Sequence, residues 1–144
     1  VLGKEAPIVR GWGLRNRSSM VRIPHALSPQ ATRLELRCPD ASGNVYLQFA
    51  VLIFAGLDGI SRKTEAGQPD MGRAYRQEEL IKVIDERFLP RDFYSALMAA
   101  EQSDFLRESL GAELYRNYMQ LKIAEWEDYR TTITDFEHSR YLTI

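Results

Sequence analysis

Near its start this chain alternates apolar and polar residues singly, and from residue 45 onward it shifts to helical spacing. Side chains of an extended strand point to opposite faces in turn. Strands are therefore predicted at residues 19–23 and 33–38, with Val21 and Ile23, then Leu34, Leu36 and Cys38, facing inward. A further extended segment is expected at 8–13. Pro24 and Pro29 prevent a continuous helix between the two strands. A turn at 39–43 leads to Asn44, a residue type suited to cap a helix. That helix should run to about residue 63. It is apolar nearly all round, from Val45 and Tyr46 through Phe49, Ile53 and Phe54 to Leu57 and Ile60, so burial on most sides is predicted. Residues 65–69 read as a loop and 78–85 as a short helix. Asp92 is expected to cap a helix carrying Phe93, Leu97, Ala100 and Phe105, which Gly111 breaks. A long helix follows at about 112–133, with Leu114, Tyr118, Leu121, Trp126 and Tyr129 near one stripe, and Asp135 caps a last turn through Tyr141. The fold class this predicts is α+β: a few antiparallel strands in residues 1–40, packed with about four helices in 41–144.

The outward faces of the two strands are unusual. Arg22 points out from the first, and Arg33, Glu35 and Arg37 share the outer face of the second. Same-face neighbours lie roughly 6.6 Å apart at a rise of about 3.3 Å per residue. Two cations at that distance repel by roughly 2.5 kcal/mol at an effective dielectric of about 20. An exposed ion pair returns only about 0–1 kcal/mol, so Glu35 does not balance three arginines. The face is either a solvated strand with scattered charges or a grip for an anion with several oxygens, a task that suits the planar arginine fork.

Charge is unevenly spread. The net charge is −1 over 144 residues, yet residues 1–40 hold seven Lys/Arg against three acids, and the remainder 12 against 17. That imbalance favours a localised anion site over a surface that coats nucleic acid. Arginines interleaved with aromatic rings for base stacking are lacking apart from Trp12, so no nucleic-acid partner is expected. Cys38 is alone, which excludes a disulfide framework or a thiolate metal site within this sequence and fits a reducing, cytoplasmic setting. The longest apolar stretch, 45–57, is too short to span a bilayer, so no membrane association is expected. His25 and His138 read as surface or satisfied histidines, Trp12 and Trp126 as packing residues, and Arg62 and Lys63 as a solvated helix end. Asp58 is expected to serve a structural hydrogen bond.

Five blocks carry a resemblance. They are Gly3-x-Glu5-Ala6-Pro7; Arg15-Asn16-Arg17-Ser18 with Arg22-Ile23-Pro24; Arg33-x-Glu35-x-Arg37-x-Pro39-Asp40; Asn44-x-Tyr46-Leu47-x-Phe49-Ala50; and Ala55-Gly56-Leu57-Asp58-Gly59-Ile60. In order and spacing, residues 3–60 resemble the C-terminal part of the catalytic domain of type I glutamine synthetase. Residues 61–144 resemble it in general helical layout. The start at Val1, inside the first block, suggests an excised C-terminal fragment with the family's N-terminal domain absent.

The resemblance implies an ATP-dependent ligase. The glutamate side-chain carboxylate attacks ATP to give γ-glutamyl phosphate, and ammonia displaces phosphate to give glutamine. Anion attacks anion, so arginines and Mg²⁺ or Mn²⁺ must position and neutralise charge. By resemblance, Arg22 and Arg33 hold the ATP phosphates, Arg17 and Arg37 hold glutamate and the transferring phosphoryl group, and Glu35 is a metal ligand on the nucleotide side. Glu5 matches the flap glutamate that takes a proton from ammonium while its loop shields the acyl phosphate from water. Gln30 stands where many bacterial members carry a nucleotide-contacting lysine. Tyr75 lies near the tyrosine that some relatives adenylylate, but its flanks differ and an ordinary loop tyrosine is the preferred reading. Divalent ions want about six oxygen ligands and this sequence offers one, Glu35, so the fragment is expected to be inactive alone. The full-length protein is expected to form rings of identical subunits. A γ-glutamyl ligase using another amine, or a non-catalytic relative, is the alternative.

Overall fold

The structure, a computed structural model, describes residues 6–70 and 88–142. Glu5, Tyr75 and the helix expected at 78–85 lie outside the described residues. The chain divides into two compact units, Val1–Arg91 and Asp92–Ile144.

The first unit holds a small sheet of β1 (Trp12–Leu14), β2 (Val21–Ile23) and β3 (Glu35–Leu36), in that spatial order. β2 and β3 pair antiparallel, with Val21 opposite Leu36 and Arg22 opposite Glu35. The Arg37 N–H donates to the Met20 carbonyl at 2.9 Å and carries that ladder one step further. β1 instead pairs parallel to β2, with Gly13 beside Arg22, so the sheet is mixed. A parallel connection this short is possible because the strands are so short. Returning past three residues takes roughly 7 Å, and the six residues 15–20 reach up to about 20 Å. Arg15 opens that return in the left-handed region, at φ 56°.

The strands are also shorter than the alternation predicted, and the inward positions are not all filled. Leu36 is half-buried, but Leu34 and Cys38 are exposed. They flank the paired residues of β3, where the alternation no longer has a full ladder to hold it. Between β2 and β3 a single 3₁₀ turn (Pro29–Ala31) carries Gln30 in the open.

α1 (Val45–Ser61) begins where predicted, because the Asn44 side chain accepts from the N–H groups of both Tyr46 and Leu47. Asp58 accepts from Arg62 Nε at 2.8 Å, the structural bond expected of it. Burial is the correction. Val45, Tyr46, Phe49, Leu52, Ile53, Phe54, Leu57 and Ile60 are all exposed. An apolar surface establishes that a helix would gain by being covered, but not that this chain supplies the cover.

The second unit is helical: α2 (Phe93–Glu101), α3 (Asp104–Leu110), α4 (Ala112–Thr131) and α5 (Asp135–Tyr141). Asp92 caps α2 in a reciprocal box with Ser95. The helix expected to run on to Gly111 is split, because Ser103 caps a new start by accepting from Leu106 N–H at 3.1 Å. Thr134, rather than Asp135, caps α5, with Glu137 closing the box. The core is Leu97, Tyr115 and Met119, flanked by Ala100, Leu106, Leu110, Tyr118 and Trp126. Of the stripe predicted on α4, Tyr118 and Trp126 pack while Leu114, Leu121 and Tyr129 are exposed. The buried pair sits at 115 and 119, one turn apart. Trp126 packs among the rings of Phe93, Tyr94 and Tyr129 at centroid distances of 5.4–6.0 Å. No helix among the described residues is long and apolar enough to cross a membrane.

Candidate active site

Cross-strand register brings three of the sequence-selected residues together. Arg22 Nη1 donates to Glu35 Oε2 at 2.7 Å, and Arg33 Nη2 donates to Glu35 Oε1 at 3.2 Å. Each carboxylate oxygen is thus held by one guanidinium. The Arg22 and Glu35 side chains are partly buried, at 21% and 30% exposure, while Arg33 reaches further into solvent. The hydrogen bond from Arg22 holds the Glu35 carboxyl below its ordinary value. Desolvation opposes it as the next largest effect, and the charges of Arg22 and Arg33 add to the lowering. Arg22 Nε is buried and has no hydrogen-bond partner among the described residues, so this guanidinium keeps a donor beyond what Glu35 uses.

Arg37 follows two residues after Glu35 and is half-buried; Arg17 is exposed on the turn between β1 and β2. Arg15, on the same turn, donates to His25 Nδ1 at 3.0 Å. Arginine only donates, so this ring nitrogen accepts. His25 is thereby the satisfied surface histidine the sequence suggested.

The turn itself is anchored by residues that strand alternation did not single out. Ser18 and Ser19 are only 2% and 1% exposed. Asn16 Oδ1 accepts from Ser18 N–H at 3.0 Å and from Ser18 Oγ at 2.7 Å. Ser19 Oγ donates to Asp70 Oδ2 at 3.2 Å, and Asn16 Nδ2 donates to the Asp70 carbonyl at 3.3 Å. Asp70 N–H donates to the Trp12 carbonyl at 2.7 Å, and Trp12 Nε1 to that of Ala66 at 2.8 Å. The available signal was Gly11-x-Gly13, since glycine within a strand marks the close approach of another chain segment.

Chemically, the sheet offers guanidinium groups for anionic oxygens and one carboxylate with lone pairs left over. It does not by itself make a metal centre. No group of three or more His, Cys, Asp or Glu side chains among the described residues could hold an ion.

The family model described as glutamine synthetase, catalytic domain, matches residues 1–141. The glutamine synthetase of Methanocaldococcus jannaschii is 41% identical over 143 residues, covering 99% of this chain and 31% of that protein. That of Thermus thermophilus is 42% identical over 144 residues, covering 97% and 31%. Among solved structures, apo GmaS without ligand aligns with a TM-score of 0.77 at 36% identity, over 98% of this chain and 31% of the other. A GmaS/ADP complex gives 0.78 at 34% identity, over 100% and 32%. The chain belongs to the glutamine synthetase catalytic-domain family. It spans about a third of the length of the curated relatives it matches.

Proposed function

We propose that these residues form the anion-gripping part of a glutamine synthetase: the enzyme ligates ammonia to L-glutamate at the expense of ATP, and the 144 residues alone are inactive. In the reaction, a γ-carboxylate oxygen of glutamate attacks the terminal phosphorus of ATP and the bond to the ADP oxygen breaks. Ammonia then attacks the acyl carbon, loses a proton, and phosphate departs with that carboxylate oxygen. Both attacks need charge neutralised and reactants held, which positioned arginines supply.

The carrying observation is the clasp in which Arg22 and Arg33 each hold one oxygen of Glu35. Two guanidinium groups already converge on paired oxygens, the geometry a phosphate chain presents. The buried Arg22 Nε adds a donor, and an ADP complex exists for GmaS, a structural neighbour. In this reading Arg22 and Arg33 bind the ATP phosphates, Arg17 and Arg37 bind glutamate and the moving phosphoryl group, and Glu5 belongs to a flap over the intermediate. Glu35 contributes one oxygen to a Mg²⁺ or Mn²⁺ site whose other ligands come from elsewhere in the full-length protein, a ring-forming homo-oligomer.

Glutamate labelled with ¹⁸O in its γ-carboxylate tests the chemistry. The full-length protein, given MgATP and ammonium, should release phosphate carrying one label per turnover; unlabelled phosphate beside glutamine refutes the acyl phosphate route. The second reading is a γ-glutamyl ligase of the same family that takes another amine as the acceptor. A panel of amines competing with ammonium separates the two.

A further inference from the structure

We propose that Asp70 is a positioning residue for Arg17, fastening both ends of the turn that carries it. The inference rests on the role given to Arg17 above. Three bonds converge on this one residue. Its carboxylate accepts from Ser19 Oγ at 3.2 Å, its carbonyl accepts from Asn16 Nδ2 at 3.3 Å, and its N–H donates to the Trp12 carbonyl at 2.7 Å. Asn16 and Ser19 bracket Arg17 along the chain, so Asp70 grips the turn on either side of the arginine.

Packing makes the grip tight. A methyl group at Gly11 would lie 2.3 Å from Asp70 Oδ2, and one at Gly13 would lie 2.6 Å from Ser19 Oγ and 3.2 Å from the Asp70 carbonyl. The two glycines flanking Trp12 thus form a notch into which the aspartate and its serine fit. A nearly dry hydroxyl such as that of Ser19 requires its partner, and bonded networks of this kind hold one geometry. Arg17 itself is exposed. The arrangement is therefore a fixed base under an exposed arginine, which is what holding a diffusible carboxylate ligand needs. Asp70 touches no reacting atom in this scheme and acts through the turn.

The test uses the full-length protein with three substitutions. Asp70→Ala removes the acceptor, Ser19→Ala removes the donor, and Asp70→Asn retains an oxygen for Ser19. Asp70→Ala should raise the glutamate KM by about tenfold or more and Ser19→Ala by roughly threefold, while the ATP KM stays within about twofold in both. Asp70→Asn should restore the glutamate KM to within about threefold of wild type. Backbone amides of Ser18 and Ser19 should exchange faster in Asp70→Ala. Equal movement of both KM values, or an unmoved glutamate KM in a wild type that turns over, overturns this inference and leaves the functional reading standing. A wild type with no turnover on ammonium or any amine overturns both. If Asp70→Ala does not fold, the Ser19→Ala result decides alone.

Discussion

Replacing Gly13 by alanine probes how much the site depends on the close packing of β1. The residue lies beside Arg22 in the parallel ladder. Its added Cβ would sit 2.6 Å from Ser19 Oγ, 2.8 Å from Asn16 Cβ and 3.2 Å from the Asp70 carbonyl oxygen, where ordinary contact begins near 3.4 Å. Relief therefore takes a retreat of about 0.6–0.8 Å. Ser19 could rotate its hydroxyl away, but only by giving up Asp70. Asn16 Cβ is fixed to its backbone, so the turn has to move with it. Overpacking of this kind costs about 1–3 kcal/mol. A shift approaching 1 Å in a binding group costs on the order of 10²-fold in rate, so a roughly 10- to 100-fold loss in kcat/KM is expected for this displacement. Gly56→Ala is the control. It sits inside α1 with nothing within 4 Å of a Cβ, and alanine there should add up to about 1 kcal/mol through backbone entropy. Urea unfolding and steady-state turnover of both variants in the full-length protein supply the readouts. If Gly13→Ala matches Gly56→Ala in midpoint and turnover, the packing argument is refuted.

Three further outcomes follow from individual contacts. Glu35 has its folded value depressed below 4.5, so its contribution to stability is complete above that value and fades as pH falls through the lower folded one. The stability gap between wild type and Glu35→Gln should accordingly close on acidification below about pH 4.5; a gap constant across a pH series of unfolding midpoints contradicts the clasp. Met119→Ala, which empties the middle of the helical core, should cost about 2–5 kcal/mol in denaturant unfolding. Asn44→Ala leaves the amides of Tyr46 and Leu47 without their cap, and a loss of about 1 kcal/mol is expected.

What could be read from the sequence was what depends on near neighbours. Asn44 and Asp92 were visible as caps because their oxygens bond amides two or three residues on. The pairing of Arg22 with Glu35 was visible because alternation puts both on one face once the two strands align. Ser103 is equally local, but the apolar spacing runs on past it and masks the break. Contacts between distant parts of the chain left weaker marks. Ser19 and Asp70 are separated by 51 positions, and only the paired glycines around Trp12 hinted that something pressed close there. On α4 the periodicity gave the helix but not its buried side, since Leu114 and Tyr115 are both apolar neighbours and only packing against Leu97 chooses between them. The same limit explains α1, whose composition says that cover would be favourable and is silent on where the cover comes from.

The doubly held Glu35 has a bearing on which solutes can compete for this face. A newcomer must offer Arg22 and Arg33 more than an internal carboxylate that is already in place and needs no ordering. A chain of linked phosphates would bring several oxygens at once. Two like charges thus sit beside a resident counter-ion that any entering anion has to displace or share.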